Sequence, residues 1–243
     1  MLRAFKADLH IHTCLSPCAD LEMSPRGIVR KAQEKNLEIV GICDHNSAEN
    51  VLALKDAARD LPISILAGME VTSHEEVHIL GLFDKPAGAL RLQEIIYGHL
   101  PGENNEEAFG LQVVVNAAGE VQRFNTKLLI GASTLALEKV VSLIHSLDGL
   151  AIAAHVDREG FSIIGHLGFI PDSLSIDALE ISAAISREEA QQRFGGRWPL
   201  TASSDAHSLD EIGRASTSFW LAEGTVSEIR MALLNREGRK VLN

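Results

Sequence analysis

The sequence has little cysteine, few aromatic residues and no long apolar run. Its three cysteines are an odd number, and no secretory signal is evident, so a disulfide framework is not expected. No apolar run reaches about 18 residues, the length that predicts a membrane-spanning helix. We therefore expect reduced thiols, a cytoplasmic location and no membrane partner.

Basic residues are also in deficit. The 243 residues include 22 lysines and arginines against 33 acids, which gives a formal net charge of −11. This balance argues against a surface that coats nucleic acid, although it leaves a local binding site open. Apolar residues, mostly aliphatic, make up 46% of the chain, and aromatic residues only 5%. Such a composition can fill a core of buried strands and covering helices.

The chain does contain ten histidines, and several of them lie at the ends of apolar runs. His10 and His12 close the first run, and His45 follows the second. Later runs contribute the remaining candidates, which are Glu70, His78, His155, Asp205 and His207. Histidine and carboxylate side chains are common metal ligands. One or two ligands from each strand end are typical of an α/β barrel that holds several metal ions.

Apolar runs alternate with amphipathic segments along the chain. We predict strands at 5–11, 37–43, 63–71, 77–83, 150–156, 178–181, 200–202 and 216–220. We predict helices at 24–35, 47–60, 133–146 and 225–235, with Ser24 and Ser47 as N-caps of the first two. This order predicts an α/β fold with a parallel sheet, and at this length one barrel domain over 1–243.

Residues 85–132 interrupt the alternation of strands and helices. The segment contains a polar stretch and then two short apolar runs on either side of a turn, which predicts a loop followed by a hairpin. We expect an insertion that serves as decoration, as an oligomer contact or as a lid. The oligomeric state itself cannot be read from the sequence.

The segment 74–78 matches the H-E-x-x-H signature of zinc metalloproteases. That motif binds one ion only on a helix, where residues four apart share a face. Strand-like sequence flanks the segment here, and on an extended chain His74 and His78 would lie roughly 13 Å apart. We therefore predict a strand, a turn and a strand, with His74 exposed.

Six short motifs together resemble those of the PHP (polymerase and histidinol phosphatase) superfamily, in the order of that family. They are 8–13 (DLHIHT), 43–46 (CDHN), 68–71 (GMEV), 77–82 (VHILGL), 154–155 (AH) and 204–207 (SDAH). No single motif is specific, but six in order are. The resemblance implies a distorted (βα)7 TIM-like barrel with a metal cluster at the carboxyl ends of its strands, and hydrolysis of phosphate esters.

The resemblance also implies a ligand set for two or three divalent ions, with Zn, Mn and Fe all compatible with the residue types. The first ion would be bound by His10, His12, Glu70 and Asp205. Glu70 would bridge to a second ion held by His78 and His155, and a third would belong to His45 and His207. The family usually adds one ligand after the first motif, for which Asp20 is our candidate and Cys18 a minor one.

Hydrolysis of a phosphate ester needs positive charge, because the ester oxygens are already anionic. Closely spaced metal ions would neutralise that charge and lower the pKa of a bridging water, which gives hydroxide at neutral pH. We expect Glu70 and Asp205 to act in catalysis through these ions, and either His207 or a metal-bound water to protonate the leaving group. Arg158 is our candidate for binding the substrate phosphate, the alternative being a surface arginine paired with Glu159.

The favoured function is hydrolysis of a small phosphomonoester or nucleotide. The alternatives are a nuclease acting on nucleic-acid ends and a metal-binding regulatory module without turnover. The acidic balance and the lack of fused polymerase modules argue against the nuclease, so we do not expect extended nucleic acid as a partner. A related amidohydrolase usually carries a bridging lysine, and none of the predicted strand ends is a lysine.

Overall fold

The buried aliphatic runs form one curled sheet of nine strands, with a separate two-stranded hairpin. The computed structural model describes residues 1–242. The strands are β1 (Arg3–Ile11), β2 (Ile39–Ile42), β3 (Ser64–Thr72), β4 (His78–Phe83), β5 (Val113–Val115), β6 (Val121–Phe124), β7 (Leu150–Ala153), β8 (Ala178–Ile181), β9 (Leu200–Ala202), β10 (Thr217–Leu221) and β11 (Lys240–Val241). The helices are α1 (Pro25–Glu34), α2 (Val51–Ala57), α3 (Pro86–Tyr97), α4 (Glu106–Phe109), α5 (Leu137–Ser146), α6 (Ile163–Leu167), α7 (Arg187–Phe194) and α8 (Val226–Leu233).

The strand order of the sheet is β11-β10-β1-β2-β3-β4-β7-β8-β9. The predicted α/β class is confirmed, but the sheet is mixed rather than parallel. Strand β4 runs antiparallel to both β3 and β7, and β10 runs antiparallel to β1. Strands β3 and β4 pair antiparallel because only the short turn at 73–77 joins them, and a parallel neighbour needs a crossover of a dozen residues or more. The predicted strand, turn and strand at this point is confirmed.

The sheet curls so that the chain after β9 returns to the end of β1. Ile11 and Ala206 form a parallel bridge, and the backbone N–H of His12 donates to the carbonyl of Ala206 at 3.0 Å. Nearby, the N–H of Ser204 donates to the buried Asp8 carboxylate at 3.0 Å. These contacts bring the segment that follows β9 beside β1. The (βα)7 strand count remains a prediction.

The first two helices show how local chemistry sets helix starts. Ser24 caps α1, as predicted, by accepting a hydrogen bond from the N–H of Gly27, and Pro25 occupies the first turn. Helix α2 is shorter than predicted and begins at Val51, not after a Ser47 cap. The Ser47 hydroxyl is instead engaged by Gln93 and Tyr97, so it is not free to cap the helix.

The segment 85–132 contains the predicted hairpin, β5 and β6, but it also contains helix α3, which the prediction missed. Ala89, Leu92 and Ile96 of α3 are buried, and the helix packs against β3 and β4. The hairpin is tied to the loop that follows β1, because the N–H of Val113 donates to the carbonyl of Cys14 at 3.0 Å. None of the helices within residues 1–242 is long and apolar enough to span a membrane.

Candidate metal centre

Eight of the nine predicted ligands converge at one end of the curled sheet. Parallel strands place their carboxyl ends together, and the reversed strand β4 contributes its first residue, His78, at the same edge. The side chains that meet there are His10, His12, His45, Glu70, His78, His155, Asp205 and His207. Seven of them belong to buried residues, and His207 is partly exposed. Asp20 does not join them.

Glu70 lies at the centre of this cluster. Its Oε1 lies 2.7 Å from Nδ1 of His78 and 3.2 Å from Nε2 of His155, and its Oε2 lies 3.0 Å from Nδ1 of His45. Burial alone would raise the pKa of Glu70, but the imidazoles around it, with His78 the strongest, hold that pKa well below its usual range. Glu70 is therefore a permanent negative charge in a ring of histidines.

Asp205 is the second carboxylate of the cluster. Its Oδ1 lies 3.2 Å from Nε2 of His10 and 3.1 Å from Nε2 of His12. Despite burial, these histidines hold the pKa of Asp205 far below its usual range. The backbone of Asp205 is left-handed, with φ of 50°, and so are those of His155 (32°) and Asn46 (51°). Non-glycine residues rarely adopt such angles, and they concentrate at functional sites.

Hydrogen bonds outside the cluster fix which nitrogen of each ring faces inward. Nδ1 of His10 lies 2.9 Å from Oε1 of Glu180, so it donates to a carboxylate. Ser16 donates to Asp44 at 2.8 Å and therefore accepts from Nδ1 of His12 at 2.9 Å. Asp44 thus orients the His12 ring indirectly, through Ser16. Each ring is left to present Nε2 to the centre, the arrangement typical of metal-binding histidines.

The atoms that face the centre of the cluster would repel one another unless a positive charge lay between them. Nε2 of His10 lies 3.1 Å from Nε2 of His12, beside Oδ1 of Asp205. Without a cation between them, two nitrogen lone pairs and a carboxylate oxygen would face one another. Burial opposes a charge on His10, yet Glu180, Asp205 and Glu70 raise its pKa well above the usual range. A divalent ion at this position would be stabilised by the same carboxylates and would carry twice the charge of a proton.

Unpartnered nitrogens also fit a metal centre. The buried Nδ1 atoms of His45, His78 and His155 make no hydrogen bond of good geometry within the described chain. Buried polar atoms are normally satisfied, so such exceptions call for an explanation. Three groups of ligand atoms, each within 4.8 Å of one another, can hold an ion: His10, His12 and Asp205; His45, Glu70 and His78; and His12, His45 and His207. The donor set fits divalent ions.

The expectation that Asp20 completes the third group is not supported by the structure. Asp20 is exposed, and its backbone N–H donates to the carbonyl of His207 at 2.8 Å, while its carboxylate belongs to none of the three groups. Cys18 also belongs to none of these groups, although it lines the cavity together with His45 and His207. Burial raises the pKa of the Cys18 thiol, but interactions with His207 and His45 outweigh it and lower that pKa to about 7.

A cavity of about 390 Å³ opens over the cluster, and its wall includes Arg158 and Phe161. Arg158 does not pair with Glu159, the alternative weighed from the sequence. Its guanidinium donates to Oδ2 of Asp205 at 2.5 Å while the side chain stays 42% exposed. The Phe161 ring stacks on His78 with a centroid distance of 4.7 Å and is 45% exposed at the mouth.

Sequence reasoning missed Glu180 as part of the site. The carboxylate is buried, holds His10 and also accepts from the backbone N–H of His155 at 3.3 Å. A signal was available, because Glu180 is an acid near the end of an apolar strand, as Glu70 is.

The comparisons with known proteins agree with this geometry. The model of the PHP domain matches residues 8–166, which is more than half of the chain, and a model described as PHP-associated matches residues 197–237. The chain belongs to the PHP family. Together with the cluster of ligand atoms, this PHP membership indicates a metal-binding domain.

Curated relatives of this PHP chain match it in part. A 5′-3′ exoribonuclease of Haemophilus influenzae is 32% identical over 84 residues, which cover 33% of the chain and 30% of the relative. The uncharacterized protein YqxK of Bacillus subtilis is 24% identical over 274 positions, which cover 99% of the chain and 65% of the relative. The chain thus spans less than two thirds of the length of these relatives.

Solved structures share the PHP fold over nearly the whole chain. A lesion-specific endonuclease Q from Pyrococcus furiosus has a TM-score of 0.75 at 20% identity, covering 99% of this chain and 58% of its own. Endonuclease Q is also known in complex with a 27-mer duplex that carries an abasic lesion, with a TM-score of 0.70. A proposed metal-dependent phosphoesterase from Bifidobacterium adolescentis has a TM-score of 0.62 at 15% identity, covering 97% of this chain and 98% of its own.

Proposed function

We propose that this PHP chain is a metal-dependent phosphoesterase that hydrolyses a small phosphomonoester or a nucleotide. One observation carries the proposal. The Nε2 atoms of His10 and His12 meet 3.1 Å apart beside Asp205, and Asp205 lines a cavity whose wall also presents Arg158. Ligands for cations and a guanidinium for an anion thus face the same space, as a phosphate ester requires.

Two or three divalent ions held by the clustered histidines and carboxylates would neutralise phosphate oxygens and lower the pKa of an attacking water. The chain itself supplies their placement. Glu70 lies within 3.5 Å of nitrogens of both His10 and His78, so one carboxylate reaches ligands of neighbouring groups. Glu180, Ser16 and Asp44 hold the rings from outside, which limits reorganisation during the reaction.

Arg158 orients the substrate phosphate in this proposal. One of its N–H groups is held by Asp205, and the exposed remainder of the guanidinium is free for a phosphate oxygen. Guanidinium groups suit phosphate because they offer parallel donors. The pairing with Asp205 also fixes the distance between the phosphate and the metal ligands.

His207 can serve only one of its two expected roles at a time. Its Nδ1 lies 2.9 Å from the carbonyl of Asp205, which can only accept, so Nδ1 carries the hydrogen. Only Nε2 remains, either as a metal ligand or as the donor of a proton to the leaving oxygen.

Phe161 favours a substrate with a flat or apolar group beyond its phosphate. The exposed ring stands at the mouth of the cavity and is backed by His78. Exposed aromatic rings beside phosphate-binding groups are suited to stacking on nucleobases. A nucleotide would reach both Arg158 and Phe161, whereas a phosphomonoester of a small alcohol would reach only Arg158.

The second candidate function is a nuclease, and two observations favour it. A second cavity, lined by Arg214 and Ser182, adjoins the first and shares Arg158, Asp205 and His207 with it, so the site continues as a groove. The fold is also that of endonuclease Q, which is known with a DNA duplex. These findings argue against our expectation, from net charge, that extended nucleic acid is not a partner.

Phosphate release from a panel of phosphomonoesters and nucleotides, alongside shortening of oligonucleotides, tests the proposal. The protein is assayed after loading with Mn²⁺ or Zn²⁺, with His10→Ala as the control. Release from small esters that is lost in the variant supports the phosphoesterase. Cleavage of oligonucleotides alone supports the nuclease, and inactivity on both with metal bound supports a regulatory module.

A further inference from the structure

The turn that follows β7 carries both side chains that the proposed function assigns to the substrate. Arg158 and Phe161 line the cavity over the metal cluster and lie three residues apart. The backbone N–H of Arg158 donates to the carbonyl of His155 at 2.9 Å, and the Ser162 hydroxyl donates to the carbonyl of Arg158 at 2.6 Å. These bonds fix the turn, which therefore presents Arg158 and Phe161 to the same cavity.

Phe161 is held in an unusual backbone conformation. Its φ is 58°, in the left-handed region that residues other than glycine rarely adopt. Packing contributes little on one side, since a Cβ atom added to Gly160 would have no neighbour within 4 Å. Hydrogen bonds hold Phe161 instead. Its carbonyl accepts from the N–H of His78 at 2.9 Å, and its own N–H donates to Nε2 of His166 at 3.0 Å. Such conformations persist where the surroundings fix them, so this one depends on His78 and His166.

His166 lies on a short helix that is itself fixed to this turn. Ile163 of α6 is buried, and the N–H of Gly165 donates to the Ser162 hydroxyl at 2.9 Å. A Cβ atom at Gly165 would lie 2.0 Å from the carbonyl oxygen of Glu159, so α6 and the turn are in direct backbone contact. His166 is thereby presented beside the turn, and its position follows from the same hydrogen bonds that fix Arg158.

The contact with Phe161 also defines the state of the His166 ring. Nε2 accepts from a backbone N–H, which can only donate, so Nε2 carries no hydrogen and the hydrogen of the neutral ring is on Nδ1. The phenyl ring lies 4.7 Å from the His78 ring and 5.9 Å from the His166 ring, yet Phe161 stays 45% exposed. Three aromatic rings thus lead from the buried His78 to the exposed His166.

We propose that His166 is a positioning residue that holds Phe161 where the phenyl ring can stack on a flat group beyond the substrate phosphate. The proposal rests on the phosphoesterase function above and names the residue that sets its substrate class. With Phe161 in place, the site should prefer a nucleotide to a phosphomonoester of a small alcohol, because every nucleobase has a face that stacks on aromatic side chains. Without the hydrogen bond to His166, the left-handed backbone of Phe161 should relax. The preference should then fall, while Arg158 still binds phosphate.

Equilibrium binding of two phosphonates tests the role of His166 without recourse to turnover. A nucleoside 5′-methylenephosphonate and methylphosphonate both resist hydrolysis, and they differ chiefly in the nucleoside. Calorimetry on the Mn²⁺-loaded chain compares wild type with His166→Ala, His166→Gln and His166→Phe. We expect wild type to bind the nucleoside probe at least about tenfold more tightly, and His166→Ala and His166→Phe to lose most of that preference. His166→Gln should keep it, because the amide oxygen can accept from the N–H of Phe161.

Steady-state kinetics gives a second readout, since a loss of positioning should act on KM rather than on the chemical step. For His166→Ala we expect KM for a nucleotide to rise about tenfold more than KM for a small phosphomonoester, with little change in kcat for either. His99→Ala is the matched control. His99 is also an exposed histidine with a hydrogen-bonded neighbour, Thr134, but it does not line the cavity.

Several results would overturn the proposal, and they differ in meaning. A preference for the nucleoside probe that survives in His166→Ala would show that Phe161 stacks without His166. A preference kept by His166→Phe and lost by His166→Gln would assign the effect to the ring of residue 166 and not to its hydrogen bond. Equal binding of the two probes by wild type would overturn the inference but leave the phosphoesterase standing. Binding of neither probe, with metal bound, would contradict the phosphoesterase as well.

Discussion

Nδ1 of His10 lies 2.9 Å from Oε1 of Glu180, and both side chains are completely or almost completely buried. The contact joins the end of β1 to the end of β8, across 170 residues of sequence. It fixes the tautomer of His10 and raises the electron density on the nitrogen that faces the cluster. A carboxylate behind a metal-binding histidine is a recurrent feature of metal centres. Glu180 is therefore a positioning residue of the site.

Replacing Glu180 with Gln should weaken metal binding more than it weakens the fold. The amide oxygen can still accept from Nδ1 of His10, but the negative charge is lost. We expect metal affinity to fall roughly 10–100-fold, with turnover partly restored at high metal concentration. Competition with a chromophoric chelator measures the affinity. Glu188→Gln, an exposed acid of α7, is the matched control. Equal affinities in both variants would contradict the role of Glu180.

Removing a central ligand should abolish turnover without unfolding the chain. His10→Ala or Asp205→Ala deletes a group that would stabilise the transition state through the metal by several kcal/mol, so we expect a loss of about 10³-fold or more. Phosphate release measures turnover, and circular dichroism measures folding. His74→Ala should remain fully active, because His74 is exposed in the turn between β3 and β4. Full activity in the metal-stripped His10→Ala, Asp205→Ala double variant would refute the metal-dependent mechanism.

Arg158 should act on substrate binding, in a way that depends on the geometry of the guanidinium. Arg158→Ala removes charged hydrogen bonds to the phosphate, for which we expect KM to rise roughly 10–100-fold. Arg158→Lys keeps the charge but loses the parallel donors, so it should recover only part of the affinity. Steady-state kinetics on a small phosphomonoester gives both values. An unchanged KM in Arg158→Ala would assign this arginine to structure alone.

Arg214 separates the two candidate functions. Arg214 lines the second cavity and not the first, so a small ester bound in the first cavity would not contact it. Its guanidinium is paired with Glu211 at 3.2 Å. For a nuclease, Arg214→Ala should raise KM for an oligonucleotide by about tenfold while leaving a small phosphomonoester unaffected. Parallel kinetics on the two substrates make the comparison. The same small effect on both would argue that the groove does not bind extended substrates.

The convergence of the candidate ligands could be predicted because short motifs place them at strand ends. Residues such as Glu70 and His155 follow apolar runs, and parallel strands bring such ends together whatever the details of packing. The absence of Asp20 from the cluster has a different cause. Between two residues of one turn, the sequence does not show which side chain faces the cavity, and the backbone bond from Asp20 to His207 decides it.

Other features depended on contacts distant in sequence. Ser47 looked like a helix cap, but Gln93 and Tyr97 of a helix absent from the prediction bind its hydroxyl. That helix, α3, begins at Pro86 within what looked like an insertion, and its buried face is visible only against the sheet. The link between His10 and Glu180 likewise needs the curl of the whole sheet.

The close packing of β2 against β1 predicts a strong effect at Gly41. A Cβ atom there would lie 2.7 Å from the backbone carbon and 2.9 Å from the Cα of Leu9, and backbone cannot move aside as a side chain can. We expect Gly41→Ala to lower the free energy of unfolding by about 1–3 kcal/mol or more. Urea denaturation measures it. Gly98→Ala is the control, since its φ of −70° suits any residue and a Cβ there would come no closer than 3.4 Å to its neighbours, which predicts no loss.

The ion pair between Glu228 of helix α8 and Arg239 predicts a pH dependence of stability. Glu228 of α8 accepts from Arg239 at 2.9 and 3.1 Å, and also from the backbone N–H of Ala222 at 2.6 Å. The hydrogen bonds from Arg239 come first among the causes that lower the pKa of Glu228 below its usual 4.5. A depressed pKa in the folded state means that the carboxylate stabilises the fold above the unfolded-state pKa. This stabilisation is lost as the pH falls through the folded-state pKa.

Glu228→Gln should therefore destabilise the chain at neutral pH and have progressively less effect in acid. Urea midpoints of the variant and the wild-type chain, measured between pH 7 and pH 3, should converge as the wild-type carboxylate takes up its proton. Glu223→Gln, an exposed acid shortly before α8, should leave the midpoint unchanged at every pH. A difference between Glu228→Gln and wild type that stays constant down to pH 3 would mean that the variant acts through packing. Convergence would instead assign the stabilisation to the charge that Glu228 shares with Arg239.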